Sequence, residues 1–264
     1  MSARTPGEVR AVREGAVVRI TLANPERRNA LTFAMYERLL AACDLADEPG
    51  VRVTVLRGAG GHAFAAGTDI AEFAAFDPGT AGEEGLAYER RVGHVIARLL
   101  ALRAPLVGVV EGPAVGGGLA LAAACDVLLA TPDARFGAPI ARTLGNLLPA
   151  PVVARLKDRI GGARTMALLL TAELMDAETA HAAGLVHRVV PRDELAERAG
   201  ELVERLASAA PLTLAGLKET DRRLAAAAAA VDTDDLLRGV YGSADFREGV
   251  AAFLAHRTPR WEGR

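Results

Sequence analysis

Two glycine-containing turns, Phe64-Ala65-Ala66-Gly67-Thr68-Asp69-Ile70 and Gly112-Pro113-Ala114-Val115-Gly116-Gly117-Gly118-Leu119-Ala120, each separate an apolar run from a helical pattern. A turn that ends a buried strand and opens a helix leaves its first amides without intrahelical partners, and the helix dipole adds partial positive charge there. Two such amides can hold one developing oxyanion. Where water is excluded, one donor of this kind is typically worth about 2.7–4 kcal/mol of an acyl-group barrier.

The pattern around these turns is mixed. Val9 to Val12 and Val17 to Leu22, about Glu14-Gly15, alternate like a β-hairpin. Thr32 is placed to cap a helix running to about Asp47, with Leu39, Leu40, Cys43 and Leu45 on its apolar face. Val51, Val53 and Val55 form a strand, and a short helix is expected near Ile70 to Phe76. A Gly/Pro/Asp-rich gap from Asp77 to Gly82 reads as a mobile flap before a longer helix over Glu84 to Leu102. Leu106 to Val110 is almost wholly apolar, as a parallel strand covered on both faces requires. A helix from Gly117 to Ala124, a strand from Val127 to Ala130 and a segment at Phe136 follow. Alternating strands and helices of this kind give an α/β fold. Beyond Arg192 strands vanish, and Arg192 to Ser208, Leu212 to Ala230, Thr233 to Val240 and Ala244 to His256 read as helices. The chain is thus expected to divide into a core over 1–191 and a helical region over 192–264, with the Ala225 to Ala230 run suited to close helix packing.

Composition removes several classes of function. With 264 residues and 51% hydrophobic content the chain can bury a substantial core. Apolar stretches such as Leu119 to Ala130 are broken by Asp126 and fall short of the roughly 20 residues a spanning helix needs. Met1 to Pro6 lacks the apolar core of a signal peptide, so a cytoplasmic enzyme is expected, without membrane attachment. A net charge of −2 gives no global attraction to nucleic acid. Cys43 and Cys125 have no paired or metal-like spacing, and Cys125 reads as a small buried hydrophobe. Dinucleotide, P-loop, zinc-protease, dithiol and serine-hydrolase signatures are all absent.

The two turns, Asn24-Pro25 through Asn29-Ala30-Leu31, Cys125-Asp126, Phe136-Gly137-Ala138-Pro139, Ala183-Gly184-Leu185-Val186 and Arg247 to Phe253 together resemble the crotonase superfamily, which includes the enoyl-CoA hydratases and isomerases. The resemblance runs nearly end to end. It implies a ββα spiral core and a C-terminal helical region that covers the site and forms a homotrimer or a dimer of trimers. It also implies that the N–H groups of Thr68 and Gly117 cradle the thioester carbonyl of an acyl-CoA, so that coenzyme A enters with the substrate and no separate cofactor or metal is needed.

The same resemblance exposes a departure. Hydratases of this family place one glutamate three residues beyond the second oxyanion donor and another after the Phe-Gly-x-Pro segment, where this chain has Ala120 and Ile140. Neither side chain moves a proton. Isomerisation, decarboxylation or thioester hydrolysis is therefore at least as well supported as hydration, which needs proton transfer to and from carbon and oxygen. A catalytically silent acyl-CoA-binding subunit is the reading from a different class.

Further candidates for the ligand groove are Arg28, Ala30, Ala66, Asp69, Ile70, Gly116 and Pro139, with Phe253 and Arg257 where a C-terminal helix of relatives closes over the ligand. Arg27 and Arg28 can meet phosphate groups or remain solvated. Asp69 can simply cap the helix that holds Ile70. Arg142 and Asn146 suit binding of a polar substrate group, Arg142 by gripping a departing carboxylate. A replacement acid or base can come from Glu111, His62, His94, Glu72, Glu83, Glu84 or Glu89, among which the sequence does not choose.

Overall fold

The hairpin forms as its alternation predicts: β1 (Glu8–Glu14) pairs antiparallel with β2 (Val17–Ala23) in the computed structural model, which describes residues 7–229 and 231–264. Ala230, the last residue of the expected alanine-rich helix, and Met1 to Pro6, read above for a signal peptide, lie outside the described residues.

Helix α1 (Phe33–Ala46) starts where Thr32 Oγ1 accepts from the Met35 N–H at 3.2 Å, the predicted cap. Strand β3 (Val53–Gly58) begins two residues later than expected. It is followed by a 3-10 turn over Ile70–Ala75 and by α2 (Ala81–Leu100). The presumed flap is short and bonded within itself. Asp77 Oδ1 accepts from the Gly79 N–H at 2.7 Å, and Thr80 Oγ1 donates to Glu84 Oε1 at 2.6 Å, so the helix starts at Ala81 rather than Glu84. Next come β4 (Leu106–Val110), β5 (Pro113–Val115), α3 (Gly117–Ala124), β6 (Val127–Ala130), β7 (Arg135–Gly137) and α4 (Ile140–Thr143). The remaining elements are α5 (Ala150–Ile160), α6 (Gly162–Thr171), β8 (Met175–Asp176), α7 (Ala177–Ala182), β9 (Arg188–Val189), α8 (Leu195–Ser208), α9 (Pro211–Ala229), α10 (Asp234–Tyr241) and α11 (Ala244–Leu254).

Six strands form one sheet in the order β1-β2-β3-β4-β6-β9, parallel from β2 onward, and β5-β7-β8 form a smaller second sheet. Parallel pairing needs a crossover between strands, and α1, α2 and α3 supply three of them. Period-two alternation splits the larger sheet between two cores. Val53, Val55, Val107, Val109 and Leu129 face α8 through Leu195 and Val203. Ile20, Leu22, Leu56, Leu106, Val110 and Leu128 face the main core with α1, α2 and α3. Cys125 belongs to that main core, where burial pushes its thiol up to about 12, so it packs as an inert hydrophobe.

Helix α10 returns to α2. Arg238 Nε pairs with Glu83 at 2.7 Å and Arg90 with Asp234 at 2.6 Å, but both pairs are exposed and worth little. Close packing does more: a Cβ on Gly85 would lie 2.1 Å from Tyr241 Cγ, so the ring rests directly on the α2 backbone.

One buried polar side chain ties the first loop to the strand end beneath it. Asn29, with no exposed surface and φ of +56°, accepts from the Asn24 N–H at 2.9 Å and donates to the carbonyls of Ala59 at 2.9 Å and Ala63 at 2.7 Å. Asn29→Ala strands those partners and places alanine in a left-handed conformation. It is expected to cost on the order of 3 kcal/mol. A urea unfolding curve with an unshifted midpoint would refute this role for Asn29.

Candidate active site

The first turn is held as a strand-like bridge against the segment after Asn29. The Leu31 N–H donates to Gly67 O at 2.8 Å, the Asp69 N–H to Leu31 O at 2.8 Å, and the Ala66 N–H to Arg28 O at 3.0 Å. Extended backbone alternates the side on which its amides point. Thr68 lies between Gly67 and Asp69, both committed to Leu31, so its N–H faces the opposite side and has no partner among the described residues.

The second turn locks onto the first. The Phe64 N–H donates to Pro113 O at 3.0 Å and the Val115 N–H to Ala65 O at 2.9 Å, while the Gly116 N–H reaches Gly137 O at 2.9 Å. Gly116 adopts φ +55°, ψ −117°, which side chains disfavour, and this reversal presents the first amides of α3. A Cβ on Gly118 would lie 2.1 Å from the Ala65 carbonyl oxygen, so only glycine lets the helix start so close to the first turn. The Gly117 N–H, at the open first turn of α3, also has no partner among the described residues. The two turns touch: a Cβ built on Gly67 would stand 3.9 Å from Gly117 N.

Behind Thr68 lies a knot of hydroxyls. Thr68 Oγ1 is 2.8 Å from the Tyr36 hydroxyl and 2.6 Å from that of Tyr88. Burial pushes Tyr36 up to about 12 and Tyr88 well above its ordinary value, so both stay neutral and hold the threonine by hydrogen bonding alone. Asp69 caps the Ile70–Ala75 turn through the Ala71 N–H at 3.2 Å and pairs with Arg27, so capping accounts for it.

Thr68 and Gly117 line a cavity of about 650 Å³. The exposed part of its lining, taken as the mouth, carries Glu26, Arg28, His256 and Phe253, the last 46% exposed, with Arg27 half-buried beside them in sequence. Ala120, Val92, Leu144 and Val152 belong to its buried apolar lining, taken as the closed end, and half-buried Ile140 and Leu148 also line it. The wall also includes Ala30, Ala66, Ile70, Gly116, Pro139 and Asn146. Thirteen positions expected at the site from sequence therefore surround one space.

Two expected positions fall elsewhere. Arg142 is exposed on α4 and outside the cavity lining, because the short helix turns its side chain to solvent; its expected grip on a leaving carboxylate has no geometric support. Arg257 is held bidentately by Glu248 at 2.6 and 2.8 Å in a separate surface groove with Asp245, Arg260 and Glu262. Among the candidate proton carriers, Glu111 lies outside the cavity lining between Arg57 at 2.9 Å and Arg192 at 3.0 Å. His62, His94 and Glu83 are exposed and Glu84 is half-buried, Glu83 pairing with Arg238 and Glu84 with Thr80; none of the four lines the cavity, nor does Glu72.

Glu89 alone of those candidates faces the cavity, and it is 3% exposed. The Tyr241 hydroxyl donates to Glu89 Oε1, and Asn146 Nδ2 donates to the Tyr241 oxygen at 3.1 Å. Burial raises the Glu89 carboxyl to about 8, against the lowering effect of the Tyr241 hydrogen bond. Asn146 Oδ1 is buried with no partner among the described residues. Sequence reasoning left Glu89 unselected and passed over Tyr88 and Tyr241. The available signal was position: Glu89 sits on the same helical stripe as Leu86, Val92 and Ile96, a carboxyl on an otherwise apolar face.

Comparisons with known proteins identify the family. Residues 12–264 match the family model for enoyl-CoA hydratase/isomerase. The chain is 35% identical over 258 residues to a putative enoyl-CoA hydratase of Thermus thermophilus, covering 95% of this chain and 99% of the other. It is 34% identical to the 1,2-epoxyphenylacetyl-CoA isomerase of Escherichia coli over 95% of this chain and 97% of that one. A solved methylmalonyl-CoA decarboxylase in complex with 2-nitronate-propionyl-CoA superposes with a TM-score of 0.86 at 27% identity, covering 97% of this chain and 98% of that one. The chain is an enzyme of the enoyl-CoA hydratase/isomerase family, with the crotonase fold that the resemblance of its ordered segments implied.

Proposed function

We propose that the cavity takes an acyl-CoA thioester with its carbonyl oxygen between the N–H groups of Thr68 and Gly117, and that the enzyme works by stabilising the thioester enolate. The observation that carries this reading is the pair of unpartnered amides on two turns in contact, both lining one cavity. Arg27 and Arg28 at the mouth suit the phosphates of coenzyme A, and the apolar closed end around Leu144, Leu148 and Val152 suits an acyl chain. Coenzyme A enters with the substrate, and no metal is invoked; no cluster of metal-ligating side chains occurs among the described residues.

Ala120 and Ile140 line the cavity without a carboxyl, so the two-carboxylate addition of water lacks both of its groups. Decarboxylation loses the cation suggested for it, since Arg142 lies outside. Isomerisation needs only one acid–base group, because the proton taken from one carbon is the proton given to another. It is the reaction this cavity suits best. We further propose assembly as a trimer or dimer of trimers. The exposed Met166, Leu170 and Leu174, with Leu212, Leu217 and Leu224 on α9, suit burial against further copies. No helix among the described residues is long and apolar enough to cross a membrane.

Gly117→Ala puts a methyl 2.7 Å from the Tyr36 hydroxyl and pushes the second amide out of line. It is expected to lower kcat by about 100- to 1000-fold with little change in the dissociation constant of the acyl-CoA. Unchanged kcat would count against Gly117 as an oxyanion donor. Hydration of crotonyl-CoA by the wild-type enzyme is expected to run at least about 100-fold below that of a two-glutamate hydratase. Equal turnover would show that the missing carboxylates are dispensable.

A further inference from the structure

Within this acyl-CoA reading, on which the inference rests, we propose that Glu89 is the proton-transferring residue: it takes a proton from the carbon next to the thioester carbonyl and returns it farther along an unsaturated acyl chain, with Tyr241 and Asn146 as positioning residues. The group stands on α2, not at either of the positions that Ala120 and Ile140 occupy. Tyr88, its neighbour on α2, bonds Thr68 Oγ1 at 2.6 Å, and both residues line the cavity, so the carboxyl belongs to the wall adjoining the first oxyanion donor. Ala120 lines the same cavity and, being small, leaves room for a carboxyl that arrives from α2.

The polarity of the hydrogen-bond chain fixes the carboxyl. An Asn amide nitrogen only donates, so the Tyr241 oxygen accepts from Asn146 and its own hydrogen turns to Glu89 Oε1. Oε2 has no protein partner among the described residues and is free for the substrate proton. Tyr241 reaches this place because Gly85 lets its ring lie on α2. In the first step the C–H bond breaks, the proton goes to Glu89 Oε2, and the electron pair moves into an enolate whose oxygen lies between the Thr68 and Gly117 amides. In the second, electrons return through the conjugated chain to its far carbon, which takes the proton back from the carboxyl. The double bond has moved, Glu89 is again a carboxylate, and nothing is gained or lost.

Burial that lifts the carboxyl to about 8 suits this exchange, since a carboxyl that titrates near neutrality both accepts and donates protons readily. The groups around Glu89 are Tyr241 from α10, Tyr36 from α1, Tyr88 on α2 and the non-titrating Asn146. At the mouth are Glu26, Arg27, Arg28, Asp69 and His256. Because the base form is the carboxylate, proton abstraction is expected to rise about tenfold per pH unit and to level off above about 8.

The test uses vinylacetyl-CoA in deuterated water, followed by mass spectrometry, beside a binding titration with the same thioester. Wild-type enzyme is expected to form crotonyl-CoA, resolved from the substrate by chromatography, with deuterium at the far carbon in the fraction of turnovers in which the Glu89 proton exchanges with solvent between the two steps. Glu89→Gln is expected to lose at least about 100-fold in that rate with unchanged binding, and Glu89→Asp to retain more activity than Glu89→Gln. Tyr241→Phe removes the hydrogen bond that lowers the carboxyl's titration point, so its pH profile should shift upward, a change that a purely structural role would not produce. Crotonyl-CoA formation at the wild-type rate by folded Glu89→Gln overturns the inference, as does wild-type enzyme that binds the thioester but neither isomerises nor labels it. Wild-type enzyme that fails to bind at all overturns the acyl-CoA reading, and this inference with it.

Discussion

The contact between two backbone turns is the constraint on which the rest of this structure depends. Val115 donates to the Ala65 carbonyl at 2.9 Å, and α3 begins so close to Ala65 that Gly118 has no room for a side chain. That contact sets the separation between the Thr68 and Gly117 amides. Buried amides without partners are costly, and most proteins avoid them. Here two unpartnered amides on half-buried residues share the wall of one cavity, so one ligand oxygen could accept from both.

Support for the first turn comes from side chains that do no chemistry themselves. Asn29 ties the loop before it to Asn24, Ala59 and Ala63, while Tyr36 and Tyr88 grip the Thr68 hydroxyl from α1 and α2. Both tyrosines are buried and resist ionisation, so the grip does not change with pH across the ordinary range. Rigid scaffolding of this kind is how a site keeps donors aimed without reorganising when charge develops.

The same apolar burial acts oppositely on a carboxyl. Burial acts on Glu89 with only one neutral donor, the Tyr241 hydroxyl, to oppose it, so its proton is held well above the usual carboxylate range. Folding pays for this above the midpoint: a carboxyl that binds its proton more tightly folded than unfolded stabilises the fold fully below about 4.5 and loses that contribution as pH rises through about 8.

Local chemistry was legible in the sequence wherever it follows from short-range rules. Thr32 as a cap, the apolar β4 run, the glycine turns and the helices after 192 were read directly, because caps, alternation and helical periodicity are properties of neighbouring residues. The family resemblance then supplied which amides belong together and the absence of carboxyls at Ala120 and Ile140. Only the tertiary structure separated Glu89 from Glu72, Glu83 and Glu84, put Arg142 and Arg257 outside the cavity and joined Tyr241 to α2. Those outcomes depend on which face of a helix meets which distant segment, and α10 lies about 150 residues from α2 along the chain. Sequence spacing within one helix determines a stripe; what covers that stripe, and hence whether a carboxyl on it is solvated or forced to keep its proton, is decided by packing between remote segments.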